Sequence, residues 1–401
     1  MDHSSYRLNR MEIAGSLGDL GTLLPIGIGM ILINGLSPSG LFFTIGLFYI
    51  LSGVYYKVTV PVQPMKVIGA YAIAAGLTAS QVTASGLLIG VALLIIGASN
   101  AITFIGRFIP KAVIRGIQLS CGVLLMSHGI RMISGTSSFQ ALHQAAEPYL
   151  TFQTIGPFPV GIIIGIIGMI LTFILIDSKK FPAGLILVTG GLVFGLIFGT
   201  YEGFDDIRPG LYLPEFLPFG FPNMVDFNFA IFALVLPQLP MTIGNAVVAN
   251  ADLSHEYFKE KSGKVTCRAL CISMGLANLA SAFSGGMPLC HGAGGLAAHY
   301  RFGARTAGSN LFIGGIFCIL ALIAGTHVTS LVCLIPLSLL GVLLLFAGTQ
   351  LAMTVKDISE KKDLFVVLLM LGITFGSNNL AIGFISGIAV FHIIKYDCFK
   401  I

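Results

Sequence analysis

The chain has 401 residues, of which 55% are hydrophobic and only 10% charged, with a formal net charge of +5. That balance excludes a soluble globular domain and points to an all-α polytopic membrane protein. No basic run is long enough for a nucleic-acid surface, so the surplus of Lys and Arg is assigned to cytoplasmic loops.

The first apolar segment, 12–33, carries Asp19 within Gly15-Ser16-Leu17-Gly18-Asp19-Leu20-Gly21-Thr22. Glycines there allow a neighbouring helix to come close. A carboxylate at membrane depth is costly unless paired or protonated. Asp19 is therefore expected to face Lys66 and to exchange a proton; a fixed counter-ion to Lys66 is the alternative. Glu12 is expected at the solvated edge. No small-residue cleavage site follows, so the segment is read as a retained span. A second span covers 40–57. The third, 58–77, reads VTVPVQPMKVIGAYAIAAG over residues 58–76. Its β-favouring residues lead to Pro61, and Gln63, Pro64 and Lys66 open a short helix with Lys66 at about the third position. Spans at 82–105, 111–133, 157–176 and 182–200 complete the first half.

The second half has spans at 227–252, 267–283, 284–301, 307–326, 329–354, 363–376 and 379–396. In the first of these, Gln238, Thr242 and Asn245 recur at helical spacing and share a face. Their polar groups suit oxyanion oxygens, with inter-helix hydrogen bonding as the bland alternative. Asn250 and Asp252 are placed at the cytoplasmic end. Residues 283–308 read FSGGMPLCHGAGGLAAHYRFGARTAG. Backbone broken at membrane depth is tolerated only where protein buries it or a cavity solvates it. The expectation is a strand over Ser284–Met287 and a half-helix starting near Pro288, since Pro suits a first helical position. Its free amides carry about half a positive charge, a setting for an anion beside Cys290, His291 and Gly292, with His291 either donating to the anion or holding the broken backbone. Arg301 and Arg305 are read as cytoplasmic anchors. The seven Cys are scattered and no metal site is expected.

Charge fixes the orientation. With the N-terminus in the cytoplasm, the clusters Arg107/Lys111/Arg115, Lys179/Lys180, Arg301/Arg305 and Lys356–Lys362 and the Lys395/Lys400 tail fall inside. The acidic 201–226 loop, with Glu202, Asp205, Asp206 and Glu215, falls outside, and Arg131 and Arg208 are exceptions. A weak repeat at an offset of about 224 residues matches Pro64 to Pro288 and Ile109-Pro110 to Ile335-Pro336. Odd spans per half invert the second copy, giving about 14 segments as two inverted seven-span repeats, 1–200 and 201–401, with two broken half-helices at mid-membrane.

The two broken stretches resemble the paired signatures of the molybdate transporter family, which is related to the sulfate permeases. The first signature reads roughly P-P-V-Q-P-M-K, and the chain has Val60-Pro61-Val62-Gln63-Pro64-Met65-Lys66. The second runs here from Ser284 through Met287, Pro288, Cys290, His291 and Gly292 to Arg301 and Arg305. Val60, Ser284 and Ala307 depart from the pattern. The resemblance implies the nucleobase- and sulfate-permease fold, with a core domain (spans 1–4 and 8–11) moving against a gate domain (spans 5–7 and 12–14). It also implies homodimerisation through the gate. The relatives' soluble C-terminal domain is not expected.

Together these readings define a transporter in the cell membrane, with both termini cytoplasmic, that imports a tetrahedral oxyanion by an elevator-type movement with proton coupling. Molybdate is the first choice. Sulfate is the second and a proton-coupled nucleobase the third; an intramembrane enzyme using Asp19, His291 and Cys290 is the different class. The expected partners are the oxyanion and the bilayer, with no cofactor. Gln63, Lys66, Gln238, Thr242, Asn245, Cys290, His291 and Gly292 are the expected binding residues, and Asp19 the proton carrier.

Overall fold

A computed structural model describes residues 5–99, 110–176, 178, 181–204 and 210–395. Arg107, Lys179, Lys180, Asp205, Asp206, Arg208 and Lys400, used above for orientation, lie outside the described residues.

The chain is mostly helical. Helix α1 (Arg10–Ser16) and α2 (Leu20–Asn34) are bent by 41° at Leu17–Asp19. Then come α3 (Pro38–Tyr56), strand β1 (Gln63–Pro64), α4 (Lys66–Ala75), α5 (Ala79–Ser99) and α6 (Lys111–Ser134). A small hairpin, β2 (Thr154–Ile155) and β3 (Phe158–Pro159), precedes α7 (Val160–Leu175) and α8 (Ala183–Phe198). The second half contains α9 (Met224–Ser262), α10 (Cys267–Phe283), β4 (Leu289–Cys290), α11 (Ala293–Phe302) and α12 (Ala307–Ala324). It ends with α13 (Leu337–Ala352), α14 (Lys361–Ser377) and α15 (Leu380–Lys395). Among the described residues six helices are long and apolar enough to cross a membrane, or seven if α1 and α2 count as one. Every expected segment holds a helix.

Local signals explain the boundaries. Ser37 caps α3 by accepting from the Gly40 amide, with Pro38 in the first turn. Gly35 closes α2 in the left-handed region at φ 70°. Within α9, π-turns at Ile231–Val235 and Thr242–Val248 flank Pro237 and Pro240, where amides are missing from the helical ladder. The expected span 329–354 is two helices, Val328–Cys333 and α13, because Pro336 can only begin the second.

Three helix pairs form the frame: α3 with α12, α5 with α10, and α6 with α13. Each pair meets through reciprocal glycines. A Cβ on Gly46 would lie 2.7 Å from the Gly314 carbonyl oxygen, and one on Gly314 2.8 Å from that of Gly46. Gly90 and Gly275 repeat the arrangement, as do Gly122 with Gly348 and Gly129 with Gly341. Without a hydrophobic drive between helices in lipid, such close backbone approach supplies the dispersion energy.

Between the pairs the two short strands cross. β1 and β4 run antiparallel, with Gln63 opposite Cys290 and Pro64 opposite Leu289. Asn278 of α10 accepts from the Leu289 amide (2.9 Å) and donates to its carbonyl (2.8 Å). Asn310 of α12 does the same for Val60, at 3.2 and 2.7 Å. Both are fully buried. Elsewhere, Glu12 is buried rather than solvated, because its carboxylate accepts from the Arg305 and Thr306 amides ahead of α12. Glu147 caps α13 in the same way through the Leu337 and Ser338 amides.

Asn310→Leu would leave the Val60 amide and carbonyl unpaired in the interior, at about 1–3 kcal/mol each. The thermal unfolding midpoint of the purified variant should therefore fall clearly below that of the parent. An unchanged midpoint would show that Asn310 does not hold the crossing together.

Candidate functional site

Two half-helices begin at the strand crossing. Each starts later than the sequence suggests. Lys66 is the first residue of α4 rather than the third, after Met65, whose amide bonds to the Pro288 carbonyl. α11 starts at Ala293, five residues beyond Pro288, because Ser284–Met287 is spent on a turn. Gly285 there is left-handed (φ 71°), and Ser281 donates to the Met287 carbonyl. The matched helix starts, Lys66 and Ala293, are thus 227 residues apart rather than 224.

The two helix starts differ in one respect. At α4 the Val67 and Ile68 amides donate to Gln238 Oε1, at 2.9 and 3.2 Å. Gln238 Nε2 is in turn engaged with Thr242 Oγ1 at 2.9 Å. At α11 the Gly295 and Leu296 amides turn back to the Gly292 carbonyl. Those of Ala293 and Gly294 meet no acceptor among the described residues. The unspent end of the crossing therefore belongs to α11.

A cavity of about 330 Å³ opens against it, lined by Asp19, Gln63, Lys66, Gly294, Arg301 and Gln350 among others. On one side are α2, α4 and α11; on the other are α7, α8 and α13. The Lys66 ammonium reaches across from α4 to within 3.9 Å of where a Cβ on Gly294 would stand. No carboxylate lies within ion-pair distance of it among the described residues. Asp19, at the break between α1 and α2, accepts instead from Gln63 Nε2 at 2.6 Å. Asp19 and Lys66 thus line one cavity, as expected, and the alternative of a fixed ion pair between them is not formed among the described residues.

Of the expected site residues, Asp19, Gln63 and Lys66 line the cavity. Gln238 and Thr242 do not; they are spent on α4. Asn245 lies beside Gly292, its Nδ2 3.5 Å from that residue's Cβ position. Cys290 is buried in the strand pair, its thiol 3.7 Å from the Pro64 carbonyl. His291 is fully buried and uses both ring nitrogens, Nδ1 toward the Pro61 carbonyl (2.8 Å) and Nε2 toward Ser273 Oγ (3.2 Å), so it holds the broken backbone. Asn250, expected near the cytoplasmic end, is buried and donates to the His291 carbonyl at 2.6 Å.

Gly292 and Gly295 make room for polar side chains. A Cβ on Gly292 would overlap Gln63 Oε1, and one on Gly295 would stand 2.7 Å from Asp19 Oδ2. Sequence reasoning placed Arg301 outside the site; one α-helix carries it from the crossing to the cavity mouth. Asn278 and Asn310 were missed, although an Asn inside an apolar span is itself a signal.

The fold matches solved anion transporters. The transmembrane domain of the cyanobacterial bicarbonate transporter BicA superposes with a TM-score of 0.65 at 16% identity, covering 94% of this chain and 97% of that one. The murine solute carrier 26 family member A9 anion transporter, in its inward-facing state, gives 0.66 at 13% identity, over 99% and 70%. Among curated proteins, Molybdate transporter 2 of Arabidopsis thaliana is 30% identical over 96% of this chain and 88% of its own length. Molybdate transporter 1 of the same plant is 29% identical over 95% and 87%. The sequence profile described as "Molybdate transporter of MFS superfamily" matches residues 11–125 and 230–351. This chain is an integral membrane protein of the molybdate transporter family, and its relatives are transporters, not enzymes. The two matched blocks contain both half-helices.

Gly292→Val would displace Gln63 and should lower the thermal unfolding midpoint. Gly294→Ala adds a methyl in ordinary contact with Lys66 and should leave it unchanged. Equal stability of the two purified variants would contradict the packing described for Gly292.

Proposed function

We propose that the protein imports a tetrahedral oxyanion, molybdate, in symport with protons. The observation that carries this reading is the Lys66 ammonium beside the open amides of α11 in a cavity at the strand crossing. The relatives named as molybdate transporters supply the choice of anion. In this reading, anion oxygens accept from the Ala293 and Gly294 amides and from Lys66 Nζ. The half-helix end contributes about half a charge, Lys66 a full one, and Arg301 another at the mouth. Asp19 opposes them until it takes up a proton, so anion and proton favour each other's binding.

The same reading makes the chain two inverted seven-span repeats with both termini in the cytoplasm of the cell membrane. The cavity then opens to the cytoplasm, where Arg301 and Gln350 stand at helix ends. The core domain is α1–α5 with α9–α12, and the gate domain is α6–α8 with α13–α15. Their surfaces meet at Gly21 of α2 and Gly184 of α8, where a Cβ on Gly21 would lie 3.1 Å from the Gly184 Cα. Small residues at that contact suit one domain sliding past the other as a rigid body, carrying the site across. Homodimerisation through the gate belongs to the same reading.

Lys66→Gln removes a charge-assisted hydrogen bond worth about 1.5–3 kcal/mol, so molybdate affinity should fall about tenfold to more than a hundredfold. Because Lys66 has no ion-pair partner among the described residues, thermal stability should hold. Lys66→Arg should also weaken binding, since the planar guanidinium does not fit the ammonium's place. Calorimetric binding on purified variants measures both. Wild-type affinity in Lys66→Gln would remove the site, and proteoliposome uptake of sulfate without molybdate would replace the substrate.

A further inference from the structure

The Gln63 carboxamide is 1% exposed, and only half of it is satisfied. Its Nε2 donates to Asp19 Oδ2 at 2.6 Å, while its Oε1 is buried with no hydrogen-bond partner among the described residues. A buried amide oxygen without a donor is uncommon, and such a group asks for an explanation. The packing shows where that oxygen faces. It lies in the space left open at Gly292, at the first turn of α11, with Asn245 Nδ2 on the same side. The amide thus spans from Asp19 to the helix start beside which Lys66 stands.

We propose that Gln63 is a two-position relay that converts the protonation state of Asp19 into the polarity of the anion site. This deepens the function proposed above and rests on it. An ionised carboxylate only accepts hydrogen bonds. While Asp19 is charged, Gln63 must turn its NH₂ to it, which leaves the Oε1 lone pairs facing α11. A dianion approaching that helix start meets an acceptor. When Asp19 gains a proton from the cavity, its O–H becomes a donor. The carboxamide then turns over, Oε1 accepts from Asp19, and Nε2 faces α11 as a donor to the anion. The proton moves from water to a carboxylate oxygen and no other covalent bond changes. One protonation removes a negative charge and reverses a dipole, both in the direction that favours an anion.

The charged group facing Asp19 is Lys66 from α4, with Arg301 of α11 lining the same cavity, and the other titratable groups around it are Tyr49 of α3 and Cys290 of β4. Gln63 is a positioning residue for the proton and a direct contact for the anion only in its turned state. That dependence separates the relay from a structural role.

The test is molybdate binding to purified Gln63→Leu, measured at mildly acid and mildly alkaline pH beside the parent. The relay predicts about a tenfold loss of affinity at acid pH, the scale of one lost hydrogen bond, and no loss at alkaline pH, where Nε2 is turned to Asp19 and only the Oε1 acceptor faces the anion. In the Asp19→Asn background the Gln63→Leu loss should be the same at both pH values. A loss independent of pH in the parent background, or no loss at either pH, overturns the relay. If Gln63→Leu does not fold, Gln63→Met takes its place in the same two-pH comparison, with the same outcomes deciding. Failure of the underlying reading looks different: the parent itself would bind no molybdate, or would bind it without regard to Lys66.

Discussion

The structure depends on one constraint: backbone that stops being helical at membrane depth must still bond every polar group. The crossing of β1 and β4 meets it with few residues. Two pairs of positions bond to each other, Met65 bonds to Pro288, and Asn278, Asn310, Asn250 and His291 take up most of what the short ladder leaves. Proline at 61, 64 and 288 lowers the demand by removing donors. Once the crossing is satisfied, two helices can begin inside the protein with their amide ends facing inward. The frame of glycine-paired helices around it fixes where those ends stand.

The two ends are unequal, and the proposed chemistry follows from that inequality. Gln238 closes the start of α4, so its amides serve structure. The start of α11 stays open, and α4 contributes Lys66 to it instead. Each half-helix thus gives something different to one place: α11 its backbone donors, α4 its side-chain charge. Gly292 and Gly295 are the positions where Gln63 and Asp19 come close enough to touch that same turn. A carboxylate, an amide and an ammonium line one cavity, and in the function proposed above they make a site whose charge changes with a single proton.

Much of this was legible in the sequence, for a physical reason. Breaks in apolar periodicity by Pro, Gly and charge have few explanations in lipid, so both half-helices and the placing of Asp19 opposite Lys66 could be read from the residues alone. The helices start later than proline at a first helical position leads one to expect, because Pro64 and Pro288 belong to the extended crossing. For Gln238 and His291 the sequence left ligand contact and internal hydrogen bonding both open, and the role of Asn250 was not legible. Whether a buried polar side chain meets a ligand or a distant backbone group depends on contacts between segments far apart in the chain. Helical spacing puts Gln238, Thr242 and Asn245 on one face but does not say what that face meets. Arg301 reads from the sequence as a cytoplasmic anchor, and the structure adds that it also lines the cavity that reaches Lys66.

The central claim is that the anion binds at the start of α11 and not merely somewhere in the cavity. Molybdenum can be located directly by its anomalous scattering in crystals grown with molybdate. The account predicts one strong peak within hydrogen-bonding reach of an oxyanion from Lys66 Nζ and the Ala293 and Gly294 amides. A peak confined to the Arg301 mouth, or one at the start of α4 beside Gln238, would contradict it.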